Sequence, residues 1–469
     1  MKTEDRRQKT AIRRPFSVLR CATSADSAVK RKMKGLRQLV TESKQMWKGF
    51  LPAVVVLFVS VLHGQEWTGF RGPAGQGISQ AKTIPIKWTE NDYAWKVELP
   101  GTGHSSPVVW GNKVFVTSGD QKSALGILLA LSASDGEVLW QKQYKLPSYS
   151  MNRLNSYATA TPAVDADYVY VLWPTSKETI LVAVDHNGQE IWQRSFEGVR
   201  CQHGAGSSPI VTGDIVVFTI EHEADTNDFD SAWIAVDRKT GQARWKLPRQ
   251  TCPKTSYSTP CVYSPASGAP QLIFTSFAHG ISSVDPETGV VLWEAESAFI
   301  SRVISSPVIA DGLVIGTCGD AGVGKRLIAI RPATGGSPAG RTAGKSTPPA
   351  EAYKVDSSTV PYIPTSLAKA GLLFTFNDRG YVSCLRSAAG QQLWREKPAA
   401  KFSGSPVWVD GRLYCIAANG DVVVVKAGPT YELLAVNPLG EQSQATPAVS
   451  GERMYLRTYS HLFAIGSGK

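Results

Sequence analysis

The chain has 469 residues, 42% of them apolar and 19% charged, with a formal charge of +11. Such a charge ordinarily raises nucleic acid as a partner. Here the first 48 residues hold 14 Lys or Arg against 4 acidic residues, so the remainder is near neutral and the body of the chain is not a nucleic-acid binder.

Residues 1–48 read as a basic leader, and Met46 or Met33 could serve as a later start. An apolar run, Phe50–Leu62, comes next, within residues 49–64. It is too short to span a bilayer and suits a signal-peptide core, with cleavage expected after Gly64. No Cys stands there to carry a lipid anchor, and no stable membrane span remains after cleavage. The expected destination is the periplasm or cell envelope. Residues 65–92 form an irregular Gly- and Pro-rich lead-in, expected to pack across one face of the main folded body.

From residue 93 to 469 the chain repeats with a period near 50 residues, which points to a repeat architecture. A small-residue–Pro pair opens an apolar strand at Pro107, Pro162, Pro209, Pro260, Pro307, Pro406 and Pro447, and Tyr362–Thr365 fills the gap before Pro406. That makes eight units. Each holds four short β-branched and apolar runs separated by turn residues. In the first unit these are Pro107–Trp110, Lys113–Thr117, Ile127–Ser132 and Glu137–Lys142. No stretch has helical spacing. Four-stranded sheets repeated around an axis make a β-propeller. The predicted fold is therefore all-β, an eight-bladed propeller of antiparallel blades. The last unit has only three strands, so Tyr93–Leu99 is expected to supply its fourth and close the ring, leaving no long exposed edge.

A Gly followed four residues later by Trp recurs in the units, giving Trp140, Trp192, Trp245, Trp293 and Trp394. Trp95 takes that position in the closing strand. These are read as structural aromatics that lock blade to blade. Asp135, Asp185, Asp237 and Asp285 precede the turns. Blade five departs, with Arg331 in place of the Asp, a flexible insertion at 332–350, and Tyr353 in the Trp position. Blade seven has no Trp and is expected to be the softer side of the ring.

The pattern Ala-x-Asp-x-x-Thr-Gly-x-x-x-Trp, matched at Ala235–Trp245 and with Ser for Ala at Ser283–Trp293, resembles the PQQ-like β-propeller repeat family. Trp67–Pro73 and Leu99–Pro107 look like the lead-in of its exported planctomycete members. The family includes quinoprotein alcohol dehydrogenases and the outer-membrane β-barrel assembly lipoprotein, so the resemblance implies fold more firmly than activity.

Residues that precede each innermost strand surround one mouth of a propeller's channel. They include His104, Arg153, Asn155, Tyr157, Gln202, His203, Lys254, Tyr257 and Arg302, and the loop from Glu221 to Asp230 shares that face. Blades six to eight add only Ser403, Gly404 and Gln444. Ligand or partner binding is therefore expected on the rim of blades one to five, through His104, Arg153, Asn155, Tyr157, His203, Glu221, Lys254, Tyr257 and Arg302. An anionic or carbonyl-rich ligand fits three permanent cations. The partner would be an envelope protein, a peptide or a glycan, and the chain a monomer.

Quinoprotein dehydrogenases carry adjacent cysteines under the quinone and a carboxylate and amide set on calcium. Neither can be placed here, and no catalytic motif stands out. No catalytic residue, metal ligand or cofactor is expected, so the chain reads as a non-catalytic binding or scaffold protein. The alternative is an oxidoreductase using pyrroloquinoline quinone and calcium. The six cysteines beyond the leader, none in Cys-x-x-Cys, are expected to be mostly free, or to form one or two bridges.

Overall fold

In the computed structural model, residues 66–149, 151–152, 154–224, 230–320, 324–333, 347–358 and 360–466 are described. The basic leader, the apolar run, Arg153 and most of the blade-five insertion lie outside them. The described chain is an eight-bladed β-propeller. Seven blades run consecutively from Val108–Lys145 to Val407–Pro438. The eighth consists of Ala448–Ser450, Arg453–Arg457 and His461–Ile465, completed by Tyr93–Glu98. That closing strand pairs antiparallel with His461–Ile465.

Burial follows strand position. The second and third strands are sandwiched by neighbouring blades on both faces, so they are almost continuously buried, as in the third strands Leu125–Ser132 and Glu178–Asp185. The outermost strands meet solvent and alternate, as in Glu190–Glu197.

The Asp-x-x-Thr-Gly turn is built by its own side chains. Asp285 Oδ1 accepts the amides of Glu287 and Thr288 at 3.1 and 2.8 Å and the Thr288 hydroxyl at 2.8 Å. Gly289 closes the turn at φ +72°. A Cβ there would lie 2.7 Å from the ring of Trp245, so only glycine admits both the conformation and the neighbour. After the turn, every outermost strand carries a β-bulge beside the Trp position. The extra residue turns the side chain toward the next blade.

There the indole N–H finds a turn carbonyl. Trp95 donates to Ala133, Trp140 to His186, Trp192 to Arg238, Trp245 to Pro286 and Trp394 to Gly428, all at 2.9–3.1 Å. Tyr353 substitutes in blade five, its hydroxyl donating to Ser387 O at 2.7 Å. Trp293 is the exception. It is 6% exposed but bonds Gln271 Oε1 of its own blade at 3.3 Å, since blade five lacks the Asp-Thr-Gly turn.

The lead-in does two jobs. Trp67 pairs with Val109, the Val164 amide donates to Thr68 O, and Gly77 O accepts the Trp408 amide. The chain thus crosses the channel from blades one and two to blade seven, at the far ends of the innermost strands. Buried Arg71 fastens the crossing by donating to Ser366 O at 2.7 Å. Further along, Glu452 Oε2 accepts the amides of Lys82 and Thr83 at 2.8 and 2.6 Å. Asn437 clasps the Trp88 amide and Ile86 O at 3.1 and 2.9 Å. Trp88, 4% exposed, enters the core shared by blades seven, eight and one. The lead-in thus brings a buried aromatic to the blade whose outermost strand has no Trp.

All six described cysteines are free. No described helix is long and apolar enough to cross a membrane.

Candidate functional site

The small-residue–Pro signature has a structural cause. The Ser or Thr of each unit accepts the backbone N–H of its counterpart in the preceding blade. Thr161 accepts from Ser106, Ser208 from Thr161, Thr259 from Ser208 and Ser306 from Thr259, at 2.9–3.2 Å. Thr365 accepts from Ser306, Ser405 from Thr365, Thr446 from Ser405 and Ser106 from Thr446, at 2.9–3.1 Å. Eight side chains, alternately Ser and Thr, thus close a hydrogen-bonded ring around the channel. In blade six the order is reversed, Pro364 before Thr365, yet Thr365 still takes the ring position.

The ring walls a cavity of about 330 Å³. Phe70, from the lead-in, also lines it. Toward the mouth the wall comes from residues two before each ring member, among them His104, Thr159, Tyr257, Ile304 and Gln444.

Of the nine expected rim residues, His104, Asn155, His203 and Tyr257 line this cavity. His104 packs edge-on against Tyr459 at 5.0 Å, and its Nδ1 is buried without a partner. Burial, reinforced by the Arg457 guanidinium, lowers its pKa to about 4, so the ring is neutral near pH 7. Asn155 Nδ2 donates to His203 O at 2.8 Å and its Oδ1 accepts the Ser156 amide at 2.8 Å, which holds the loop before blade two against blade three. His203 Nδ1 lies 3.2 Å from Asn152 Nδ2. Burial, aided by Arg302, lowers its pKa too. The Tyr257 hydroxyl is buried against Cys201 and the His203 backbone, and desolvation raises its pKa.

The other five do not line the cavity. Arg153 lies outside the described residues. Tyr157 is 4% exposed and donates to Pro147 O at 3.2 Å. Glu221 belongs to the interior between blades three and four. Its carboxylate accepts from Trp233 Nε1 at 2.9 Å and Ser276 Oγ at 3.3 Å, and burial raises its pKa. Arg302 is 4% exposed and pairs with Glu223 at 2.9 Å. Lys254 pairs with Asp320.

The rim is accordingly not the field of free cations expected from the sequence. Arg302 and Lys254 are held by carboxylates, as is Lys325 by Asp378 at 2.6 Å. Charges that far apart in sequence could be paired only by the ring itself. Among the cavity residues that escaped the sequence reading, Lys401, Tyr362 and Phe70 matter most. Lys401 lines the wall in blade seven and makes no ion pair among the described residues. Its signal was its place four residues before Ser405. Tyr362 comes from blade six. Phe70 had no signal, because its position depends on how the lead-in crosses the channel. Blades six to eight thus contribute more than expected.

No Asp or Glu lines the cavity, and among the described residues no three His, Cys, Asp or Glu side chains converge on a metal site. Calcium takes carboxylate and carbonyl oxygens. The hydroxyl, imidazole and ammonium groups around this cavity do not fit a calcium-bound quinone.

The fold is shared with crystal structures of BamB from Moraxella catarrhalis and of a quinohemoprotein alcohol dehydrogenase from Comamonas testosteroni. The first is 15% identical, with 79% of this chain and 96% of that one covered and a TM-score of 0.52. The second is 13% identical, with 86% and 81% covered and a TM-score of 0.57. By sequence, outer membrane protein assembly factor BamB of Yersinia pestis is 23% identical over 314 residues, 64% of this chain and 72% of that protein. The family described as outer membrane protein assembly factor BamB matches residues 80–246, 158–357 and 378–466. With more than half of its length matched, and with the repeat and docking pattern described above, the chain belongs to that family of PQQ-like propellers.

Proposed function

We propose that this chain is a non-catalytic binding or scaffold protein of the cell envelope, exported as a monomer without cofactor, with its partner docking on the channel mouth of blades one to five. The observation that carries the reading is the construction of that mouth. Charged groups from successive blades are spent on one another in the pairs Arg302–Glu223 and Lys254–Asp320, which stiffens the rim without leaving a reactive group. A rigid concave surface of this kind suits recognition. Family membership supports it, since the relatives are named for assembling other proteins. With its cations paired, the rim favours a partner with neutral hydrogen-bonding groups over a strongly anionic one.

Pull-down from envelope extract tests this. His203→Ala, Asn152→Ala and Arg153→Ala should each weaken capture in a small step, and the triple variant should lose it. A folded triple variant that keeps every partner refutes rim docking. N-terminal sequencing of envelope material tests export. A mature chain that begins before residue 46 and is found in the cytoplasm counts against it.

A further inference from the structure

The channel holds hydrogen-bond donors in excess. Each ring hydroxyl already accepts a backbone N–H, and none donates to an acceptor among the described residues. A hydroxyl carries one proton beside its two lone pairs, so eight O–H protons are left for whatever fills the channel. The rest of the wall has the same bias. It has no carboxylate, and its ammonium group, Lys401, lacks a counter-ion among the described residues. The nearby cations Arg302 and Lys254 keep their own carboxylates, so those acids are not available to Lys401. Phe70, Ile304 and Ile363 add apolar surface.

We propose that this channel binds one carboxylate-bearing sugar unit, a uronic acid residue. The carboxylate meets Lys401. The sugar hydroxyls accept from the ring and donate to its spare lone pairs, and the pyranose face lies on the apolar patches. A volume of about 330 Å³ is at the low end of ligand pockets, roughly 300–1,000 Å³, and admits one sugar residue. A peptide terminus brings a carboxylate but too few further oxygens to use eight donors. The proposal rests on the reading of this chain as a binding protein, and it is independent of the protein partner.

Titration calorimetry of the full chain with glucuronate, glucose, acetate and a free tripeptide tests it. Glucuronate should bind saturably, about tenfold tighter than glucose, the worth of one charge-assisted contact. Lys401→Met should weaken it by a similar factor, and Lys401→Glu should abolish it, with melting temperatures unchanged. Four results would overturn the site: no saturable glucuronate binding, binding that ignores Lys401, acetate matching glucuronate, or tripeptide binding more tightly. Glucuronate binding without any captured partner would leave the sugar site standing and sink rim docking. Captured partner without glucuronate binding would do the reverse.

Discussion

Thr259→Val isolates one link of the hydroxyl ring. The substitution keeps volume and β-branching, and removes the oxygen that accepts the Ser208 amide at 3.0 Å at a position 5% exposed. The amide is left without its partner in a buried setting, which costs about 1–3 kcal/mol. Unfolding entropy scales with length, so in a chain of this size the loss corresponds to only about 1–3 °C. Guanidinium unfolding followed by tryptophan fluorescence is therefore the better assay, read as a shift in midpoint at constant slope. The ring supplies its own replicates. Thr161→Val, Thr365→Val and Thr446→Val remove the same bond at 2.9, 2.9 and 3.0 Å and should cost the same within about 1 kcal/mol. Thr259→Val and Thr446→Val lie four blades apart and should add. No midpoint shift in any of the four, or a loss in one blade only, would refute the ring as a shared lock.

Trp192→Ala and Trp245→Ala should each cost about 3–5 kcal/mol in the same assay; Trp293→Ala, equally buried but bonded within its own blade, should cost less, and equal losses would count against blade-to-blade docking. Trp88→Ala should destabilise comparably, about 3 kcal/mol, despite lying outside the repeats, whereas a negligible effect would mean that blade seven holds itself. His104 has a folded pKa near 4 against about 6.5 unfolded, so its contribution is full above pH 6.5 and is lost as pH falls toward 4. His104→Gln should therefore flatten acid destabilisation by about 3 kcal/mol, and an unchanged pH profile would contradict the burial argument. Pyrroloquinoline quinone with calcium should give neither micromolar binding by absorbance nor alcohol-dependent dye reduction, and saturable binding with turnover would restore the oxidoreductase reading.

Local chemistry alone determined the blades. Asp285, Thr288 and Gly289 build their turn from their own side chains and one positive φ, so the motif reads out wherever it occurs. The period, the eight units and the closing strand at Tyr93–Glu98 follow from strand-length apolar runs, and the pairing with His461–Ile465 is as expected. The site was only half legible. His104, Asn155, His203 and Tyr257 come to the cavity because their offset from each innermost strand repeats. Arg302 and Lys254 do not line the cavity, and their charge is spent on Glu223 and Asp320, partners 79 and 66 residues away along the chain. No local pattern encodes which carboxylate a ring will set beside them. The same holds for Lys401, exposed as an uncompensated charge only once its neighbours are known, and for Phe70, which reaches the channel because the lead-in crosses it. Turn chemistry acts over a few residues and is written in them. Charge compensation and cavity shape arise between blades, where only closure of the ring decides which side chains meet.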